Sequence, residues 1–227
     1  MGNFFSNALK DLFSGKIFML AMVPIIIAAL LWGVIFWLAG GWIGGLIDSL
    51  ISHIPYIGSW HWFQNSISKI GGLFLYGELL IITSVMLAGI VADKLVELIN
   101  NKHYHNKMLG FGTLAGSIAV SLKQNIIYIL LVMFLFPTFF IPIAGYLIHI
   151  ILWYILIKKP LMYDSAALYA NKDEYEKLLH LDHIKTMLLT LLSAAMFLLP
   201  VIGSFIYIFQ LLVFAHYNLS RLAKIRK

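Results

Sequence analysis

The sequence predicts an all-α integral membrane protein with two long transmembrane helices, two partly penetrating helical hairpins broken by proline and glycine, and amphipathic helices at the membrane surface. Hydrophobic residues make up 61% of the 227 residues, charged residues make up 11%, and the mean hydropathy is +0.91. Soluble domains are much less apolar, so we assign the whole chain, 1–227, to one membrane domain. Two uncharged runs, 125–157 and 186–219, contain prolines and glycines, which indicates broken helices rather than simple anchors.

The N-terminal segment 1–16 is predicted to be an amphipathic helix on the membrane surface. Its apolar residues recur at the spacing of one helical face. The opposite face is polar and consists of Asn7, Lys10, Asp11 and Ser14. The first full span follows at 17–42, contains Pro24 and ends at the interfacial Trp42.

Two further segments complete the N-terminal half. Residues 43–71 combine an apolar helical face with Pro55 and a cluster of aromatic residues, which is typical of an interfacial hairpin. A second span is predicted over 73–98, where an apolar body gives way to charged residues near its end.

The uncharged runs are predicted to form hairpins over 125–157 and 186–219. Each run is too long for one span and too short for two, because a span needs about 20 apolar residues. Since proline cannot donate its backbone amide and clashes with the preceding turn, each run should break into two helices of half to three-quarter length. We expect each reversal at a Pro-x-x-Gly turn whose glycine has a positive φ. The turn residues are Pro142, Gly145, Pro200 and Gly203.

The segment between the hairpins, 160–185, is predicted to be helical and cytoplasmic. Asn171 followed by Glu174 has the spacing of a capping box at a helix start. In this arrangement both termini and the polar segments 93–124 and 158–185 lie on one side of the membrane. Of the 16 lysines and arginines, only Lys69 lies on the other side. Positive charge favours the cytoplasmic side, so we predict a multi-pass protein with both termini in the cytoplasm.

This arrangement resembles the CysZ-like family of sulfate permeases, which also includes etoposide-induced protein 2.4. The likeness rests on the surface helix, Pro24 early in the first span, the long second helix, and the sequences Phe-Ile-Pro-Ile-Ala-Gly at 140–145 and Leu-Pro-Val-Ile-Gly at 199–203. The resemblance implies an α-helical protein of the bacterial inner membrane that forms homo-oligomers and passes sulfate toward the cytoplasm.

The resemblance also points to an anion site at the start of the first span. The family's Gly-x-Arg/Lys motif aligns with residues 8–10, which keep only the basic residue, and its paired arginines correspond to Phe18 and Met19. An anion here would gain from ammonium charges and from the free N–H groups of the helix. The alternative is that the lysines only anchor the helix at the lipid headgroups. The candidate residues are Lys10, Ser14, Gly15 and Lys16.

Glu78 is an unusual residue because it interrupts an apolar helix. An ionised carboxylate in lipid costs about 3 kcal/mol, so the side chain should face the protein interior, be protonated, or have a partner. His149 in the first hairpin is the nearest candidate partner by residue type. Glu78 and His149 are therefore candidates for a permeation or proton-coupling pathway; the alternatives are a structural hydrogen bond and a shallow placement in the membrane.

The sequence indicates no cofactor, metal site, catalytic centre or nucleic-acid partner. The chain has no cysteine and no nucleophile elbow, phosphate-binding loop or dinucleotide fingerprint. The net charge of +6 is explained by topology and by attraction to anionic lipid. Two histidine pairs could suggest a metal site, but nothing in the sequence places the pairs together. They are His103 with His105, and His180 with His183.

The leading functional hypothesis is an inner-membrane permease or channel, passive or proton-linked, for a small oxyanion, with sulfate first. A non-transporting membrane scaffold or assembly protein is the alternative. An intramembrane enzyme would need polar residues clustered at one depth, and we predict no enzymatic activity. The expected partners are the lipid bilayer, sulfate or a related oxyanion, and further copies of the chain.

Overall fold

The chain folds into a bundle of α-helices. The computed structural model describes residues 2–52, 61–135, 138, 142–181, 183–195 and 200–226. These ranges contain eight α-helices and no strand, which confirms the all-α fold class. The helices are α1 (Gly2–Leu12), α2 (Gly15–Ser52), α3 (His61–His103), α4 (Leu114–Leu135), α5 (Pro142–Ala166), α6 (Lys172–Leu181), α7 (His183–Ala195) and α8 (Pro200–Ile225).

Helices α2 and α3 form a long antiparallel pair. Midway along it the Trp32 indole N–H donates to Thr83 Oγ1 at 2.8 Å. Toward the far end the rings of Phe36 and Tyr76 meet edge to face, with centroids 5.4 Å apart. Helix α3 also packs against α4, α5 and α8, so it lies at the centre of the bundle.

The boundaries of this pair differ from those predicted at 17–42, 43–71 and 73–98. Helix α2 continues past Trp42 to Ser52, and α3 already begins at His61, so most of the expected interfacial hairpin is instead a continuation of two long helices. The glycines near Trp42 cost about 1 kcal/mol each in a helix. A break in apolar surroundings would cost more, because it leaves backbone groups without partners. Residues 53–60, which include Pro55, lie outside the described ranges.

Within the described residues, four helices are long and apolar enough to cross a membrane, and the chain is a multi-pass membrane protein. The outward faces of α2 and α4 are strongly apolar, as a lipid-facing surface requires. Trp37 and Phe134, for example, are more than 80% exposed. The candidate spans are Gly15–Ser49, Gly71–His103, Leu114–Leu135 and Ile143–Ala166.

The predicted Pro-x-x-Gly turns are wrong. Pro142 and Pro200 are the first residues of α5 and α8, and Gly145 and Gly203 are buried in the opening turns of these helices. No described glycine has a positive φ. Proline favours the first helical position because an amide there has no intrahelical acceptor and the fixed φ suits a helix. The segments before the two prolines, 136–141 and 196–199, lie outside the described residues except for residue 138.

The helices of the first hairpin are longer than the predicted half to three-quarter spans. Helix α4 has 22 residues and rises about 33 Å, and α5 has 25 residues. Both extend into polar sequence: α4 includes Lys123, and α5 continues through Pro160 to Ala166. The expected segment 160–185 therefore begins inside a helix. In the second hairpin α7 has only 13 residues, whereas α8 has 26.

The segments 104–113 and 167–171 meet the end of α8 at one end of the bundle. We call this end, with the last turn of α8, the basic end. The Gly112 N–H donates to the Ala167 carbonyl at 2.8 Å, which joins the loop before α4 to the residues after α5. The Arg226 guanidinium donates to the Glu174 carboxylate at 2.8 and 2.9 Å and to the Tyr169 carbonyl at 2.8 Å. The end of α8 is thus fixed to α6 and to the loop before it.

The capping box at the start of α6 is confirmed. The Glu174 N–H donates to Asn171 Oδ1 and the Asn171 N–H donates to Glu174 Oε2, both at 2.9 Å. Hydrogen bonds from Arg226 hold the pKa of Glu174 below its ordinary value of 4.5. The carboxylate therefore stays ionised at neutral pH and serves both the helix start and the ion pair.

Candidate functional site

Glu78 lies in the interior of the bundle, where three helices converge on its carboxylate. It is 8% exposed and projects from α3 toward α4 and α5. The Tyr128 hydroxyl of α4 donates to Oε2, and His149 Nε2 of α5 lies 2.9 Å from Oε1. The Trp153 indole N–H approaches Oε2 at 3.4 Å. We call these four residues the Glu78 cluster.

The local helical geometry explains how the cluster forms. His149 and Trp153 are four residues apart on α5, so they share a face, and their rings meet edge to face at 4.2 Å. Tyr128 approaches from α4, which packs beside α5. Glu78 is about 10 Å along the helix axis from Gly71, the first residue of its span, so the cluster lies within the membrane-spanning part of the bundle.

The cluster surrounds one carboxylate with hydrogen-bond donors. The indole is only a donor and the phenol points its hydrogen at Glu78, so both stabilise charge on the carboxylate. The contact between His149 Nε2 and Oε1 directly joins an imidazole to a carboxylate, the two side-chain types that most often exchange protons in proteins.

The structure brings Glu78 and His149 together, as the sequence suggested. The predicted role of the pair in permeation or coupling remains a prediction. Tyr128 and Trp153 were not identified from the sequence. Each lies on the buried face of an apolar helix. Their helical spacing from other polar residues of the same helix could have indicated them.

The four candidate anion residues lie at the corner between α1 and α2. Lys10 and Lys16 are exposed, and Gly15 is the exposed first residue of α2. The Ser14 hydroxyl donates to the Asp11 carbonyl at 2.7 Å, so it closes the end of α1. The Phe18 N–H donates to the Ser14 carbonyl, so the three preceding amides, 15–17, are those of the helix start, which have no acceptor within α2.

Beside this corner, Asp11 is almost completely buried, with 1% exposure. Lys102 Nζ lies 2.6 Å from Oδ1, while His103 Nε2 and His216 Nε2 lie 2.8 and 3.0 Å from Oδ2. The Tyr104 hydroxyl is 2.9 Å from His216 Nδ1. This Asp11 cluster fastens α1 to the end of α3 and to α8.

The burial of Asp11 corrects one part of the predicted α1 helix. Asp11 was expected on the polar, solvent-facing side of the helix but is buried in the protein. Burial opposes ionisation of Asp11, but hydrogen bonds from Lys102 and His103 outweigh it and lower the pKa below 3.8. Burial and the charge of Asp11 raise the pKa of Tyr104 to about 12. Partners distant in sequence thus decide which side of α1 is buried.

Asp11, His103 and His216 are the described residues whose positions suit a metal ion. Their ligand atoms lie within 4.8 Å of one another, and two imidazoles with one carboxylate are a common ligand set. However, the Lys102 ammonium competes for the same carboxylate, and hydrogen bonds already pair all three ligand atoms. We therefore interpret the group as an ion-pair cluster. The combination of His103 with Asp11 and His216 was not predicted from the sequence.

Comparison with known proteins identifies the family. Residues 4–208 match the family model described as sulfate transporter CysZ/etoposide-induced protein 2.4. This match covers most of the chain, and the chain belongs to that family. No curated protein and no solved structure matches the chain. Family membership supports a sulfate-transporter-like role and a membrane location.

Replacing Asp11 with Asn should release α1 from the bundle. The change removes the charge that Lys102 and both histidines share, and we expect a loss of about 1.5–3 kcal/mol in the free energy of unfolding. Because the pKa of Asp11 is lowered, its stabilisation is present above pH 3.8 and disappears as the pH falls below it.

Titration with SDS in mixed micelles at pH 7 measures this free energy. Asp173→Asn, at an exposed position in α6, is the matched control and should change it little. Equal free energies of unfolding for Asp11→Asn and the wild type would show that the cluster does not hold α1.

Proposed function

We propose that this member of the CysZ/etoposide-induced protein 2.4 family is a proton-linked permease that carries a small oxyanion, sulfate first, across the bacterial inner membrane. The observation that carries the proposal is the Glu78 cluster, in which a glutamate and a histidine are hydrogen-bonded and buried between helices that are apolar enough to cross a membrane. In the proposed orientation both termini and the basic end face the cytoplasm.

The position of Glu78 supports a functional role. An ionisable group at membrane depth is costly, and such groups commonly mark ion or proton pathways. A purely structural contact in this interface could use neutral partners, which avoid the cost of burying a charge. Glu78 instead faces a histidine, the side chain that most readily changes its charge near neutral pH.

The corner between α1 and α2 supports recognition of an anion. Lys10 and Lys16 are exposed beside the free amides at the start of α2. Ammonium groups and helix N-terminal amides are the donors that a sulfate-like oxyanion requires. The nearby Asp11 carboxylate is already neutralised by Lys102, so its repulsion of an anion is reduced. A permease of this kind needs no bound cofactor.

Glu78→Gln should abolish the dependence of sulfate uptake on a proton gradient, because glutamine keeps hydrogen bonds but cannot bind and release the proton. Wild-type proteoliposomes should take up labelled sulfate faster when the outside is more acidic. In the variant this stimulation should be about tenfold smaller, which is equivalent to about 1.4 kcal/mol.

Glu97→Gln is the matched control, because Glu97 is partly exposed and pairs with Lys94 at 2.8 Å. Full stimulation in Glu78→Gln would refute proton coupling through this residue. Equal sulfate flux with and without wild-type protein would favour a non-transporting scaffold.

Lys10→Ala should weaken sulfate binding by about ten- to a hundredfold, because it removes one charge-assisted hydrogen bond worth about 1.5–3 kcal/mol. Lys10→Arg should retain most of the affinity, since guanidinium also donates to oxyanions. Calorimetric titration of the purified proteins with sulfate measures the effect. Lys107→Ala removes an equal charge from the exposed connector and controls for general electrostatics. Wild-type affinity in Lys10→Ala, or equal weakening in Lys107→Ala, would show that the proposed site is wrong.

A further inference from the structure

Helix α4 presents a polar face to the protein interior and an apolar face to the outside. The polar buried residues occur at the spacing of a single helical face. They are Ser117, Ser121, Gln124, Asn125 and Tyr128. The residues between them, such as Leu122 and Ile126, are about half exposed. We call the buried residues the α4 polar face; it extends about 16 Å along the helix.

Each end of the α4 polar face bonds a buried carboxylate. At one end Tyr128 donates to Glu78. At the other the Ser117 hydroxyl donates to Asp164 Oδ1 at 2.5 Å. Asp164 is 2% exposed and lies two residues before the end of α5, next to the basic end. A Cβ on Gly89 would collide with the Ser117 hydroxyl, so glycine lets α3 and α4 approach closely here.

The middle of the α4 polar face has polar atoms without protein partners among the described residues. Ser121 Oγ and Asn125 Oδ1 are buried and have no such hydrogen bond, and Asn125 Nδ2 only reaches the Ile82 carbonyl at 3.4 Å. Leaving such groups unsatisfied is costly, and buried polar groups that lack protein partners are commonly hydrogen-bonded to internal water.

The charges along this face favour protons over an oxyanion. It connects two carboxylates, and no lysine or arginine is buried among the residues whose exposure the structure describes. The titratable neighbours of Asp164 are Asp93, Tyr207 and Tyr175, none of which supplies positive charge. Among the described side chains that bond Glu78, namely Tyr128, His149 and Trp153, the histidine is the one that can become positive. A doubly charged anion would be repelled from such an interior, whereas protons would be attracted.

We infer that the α4 polar face holds a file of water molecules that carries protons between the Glu78 cluster and Asp164. The Glu78–His149 pair gives a proton to the first water, each water passes one proton to the next, and the last gives one to the Asp164 carboxylate. Only O–H and N–H bonds form and break, and one proton moves per cycle. The anion therefore takes a different route from the proton. The direction of proton flow rests on the proposed function, but the presence of water does not.

Silver labelling of single cysteines tests for this water. The chain has no cysteine of its own, so Ser121→Cys and Leu122→Cys each introduce one thiol, on the polar and the apolar face of α4 at the same depth. Silver ions travel through water but not through detergent or lipid tails. In the detergent-purified protein, Ag⁺ should block later maleimide labelling of Ser121→Cys at least tenfold faster than that of Leu122→Cys. Asn125→Cys should behave like Ser121→Cys and serves if that variant does not fold. Equally slow reaction at both faces would overturn the inference.

Proton transfer along the file is tested with Asn125→Leu, which keeps the branched arrangement of heavy atoms but replaces the polar oxygen and nitrogen with methyl groups. It should reduce the proton-gradient stimulation of sulfate uptake about tenfold, whereas Ile126→Leu on the apolar face should not. Undiminished stimulation in Asn125→Leu would overturn proton transfer along this face. If the wild type takes up no sulfate, the proposed function fails, and the silver experiment still decides whether the face contains water.

Discussion

A carboxylate buried among apolar helices must find hydrogen bonds or an opposite charge, and this requirement determines much of how the bundle packs. Asp11, Glu78 and Asp164 are almost fully buried, and side chains from other helices bond each of them. Lipid tails are as apolar as leucine, so apolar contacts alone distinguish poorly between helix arrangements. The three carboxylates specify the arrangement by joining α1 to α3 and α8, and α4 to both α3 and α5.

The distribution of charge separates the proton from the anion. Positive side chains gather at the basic end and at the corner between α1 and α2, while the described interior contains carboxylates and histidines. A permease built this way can hold a proton inside the subunit and recognise an oxyanion at its surface. The anion then needs a path that avoids the α4 polar face. Surfaces between copies of the chain would offer one, so the expected homo-oligomer is part of the transport hypothesis.

The sequence predicts the elements that depend on local composition. The long apolar helices, the capping box of α6 and the meeting of Glu78 with His149 all follow from hydropathy, spacing or the cost of a buried charge. The Pro-x-x-Gly turns were misassigned because proline and glycine suit a reversal and a helix start equally well in a single sequence. The side of α1 that carries Asp11 was misassigned because its partners, Lys102 and His216, are distant in the chain.

The sequence also contains a signal for the α4 polar face. Ser117, Ser121, Gln124 and Tyr128 repeat with a helical period inside an apolar span whose one charged residue, Lys123, is exposed, and this pattern indicates a polar interior face. The sequence could not show that Asp164, from the following helix, lies at one end of that face. That fact depends on the packing of α4 against α5.

The coupling of proton and anion movement is tested most directly by following sulfate uptake and internal pH together in proteoliposomes of the wild-type protein. The lumen contains a pH-sensitive dye, the starting pH is equal on both sides, and an inward sulfate gradient is the only driving force. We expect the lumen to acidify in step with sulfate uptake. Sulfate uptake with no change in internal pH would contradict the proton-linked account, and the absence of any sulfate uptake would contradict the assignment as a permease.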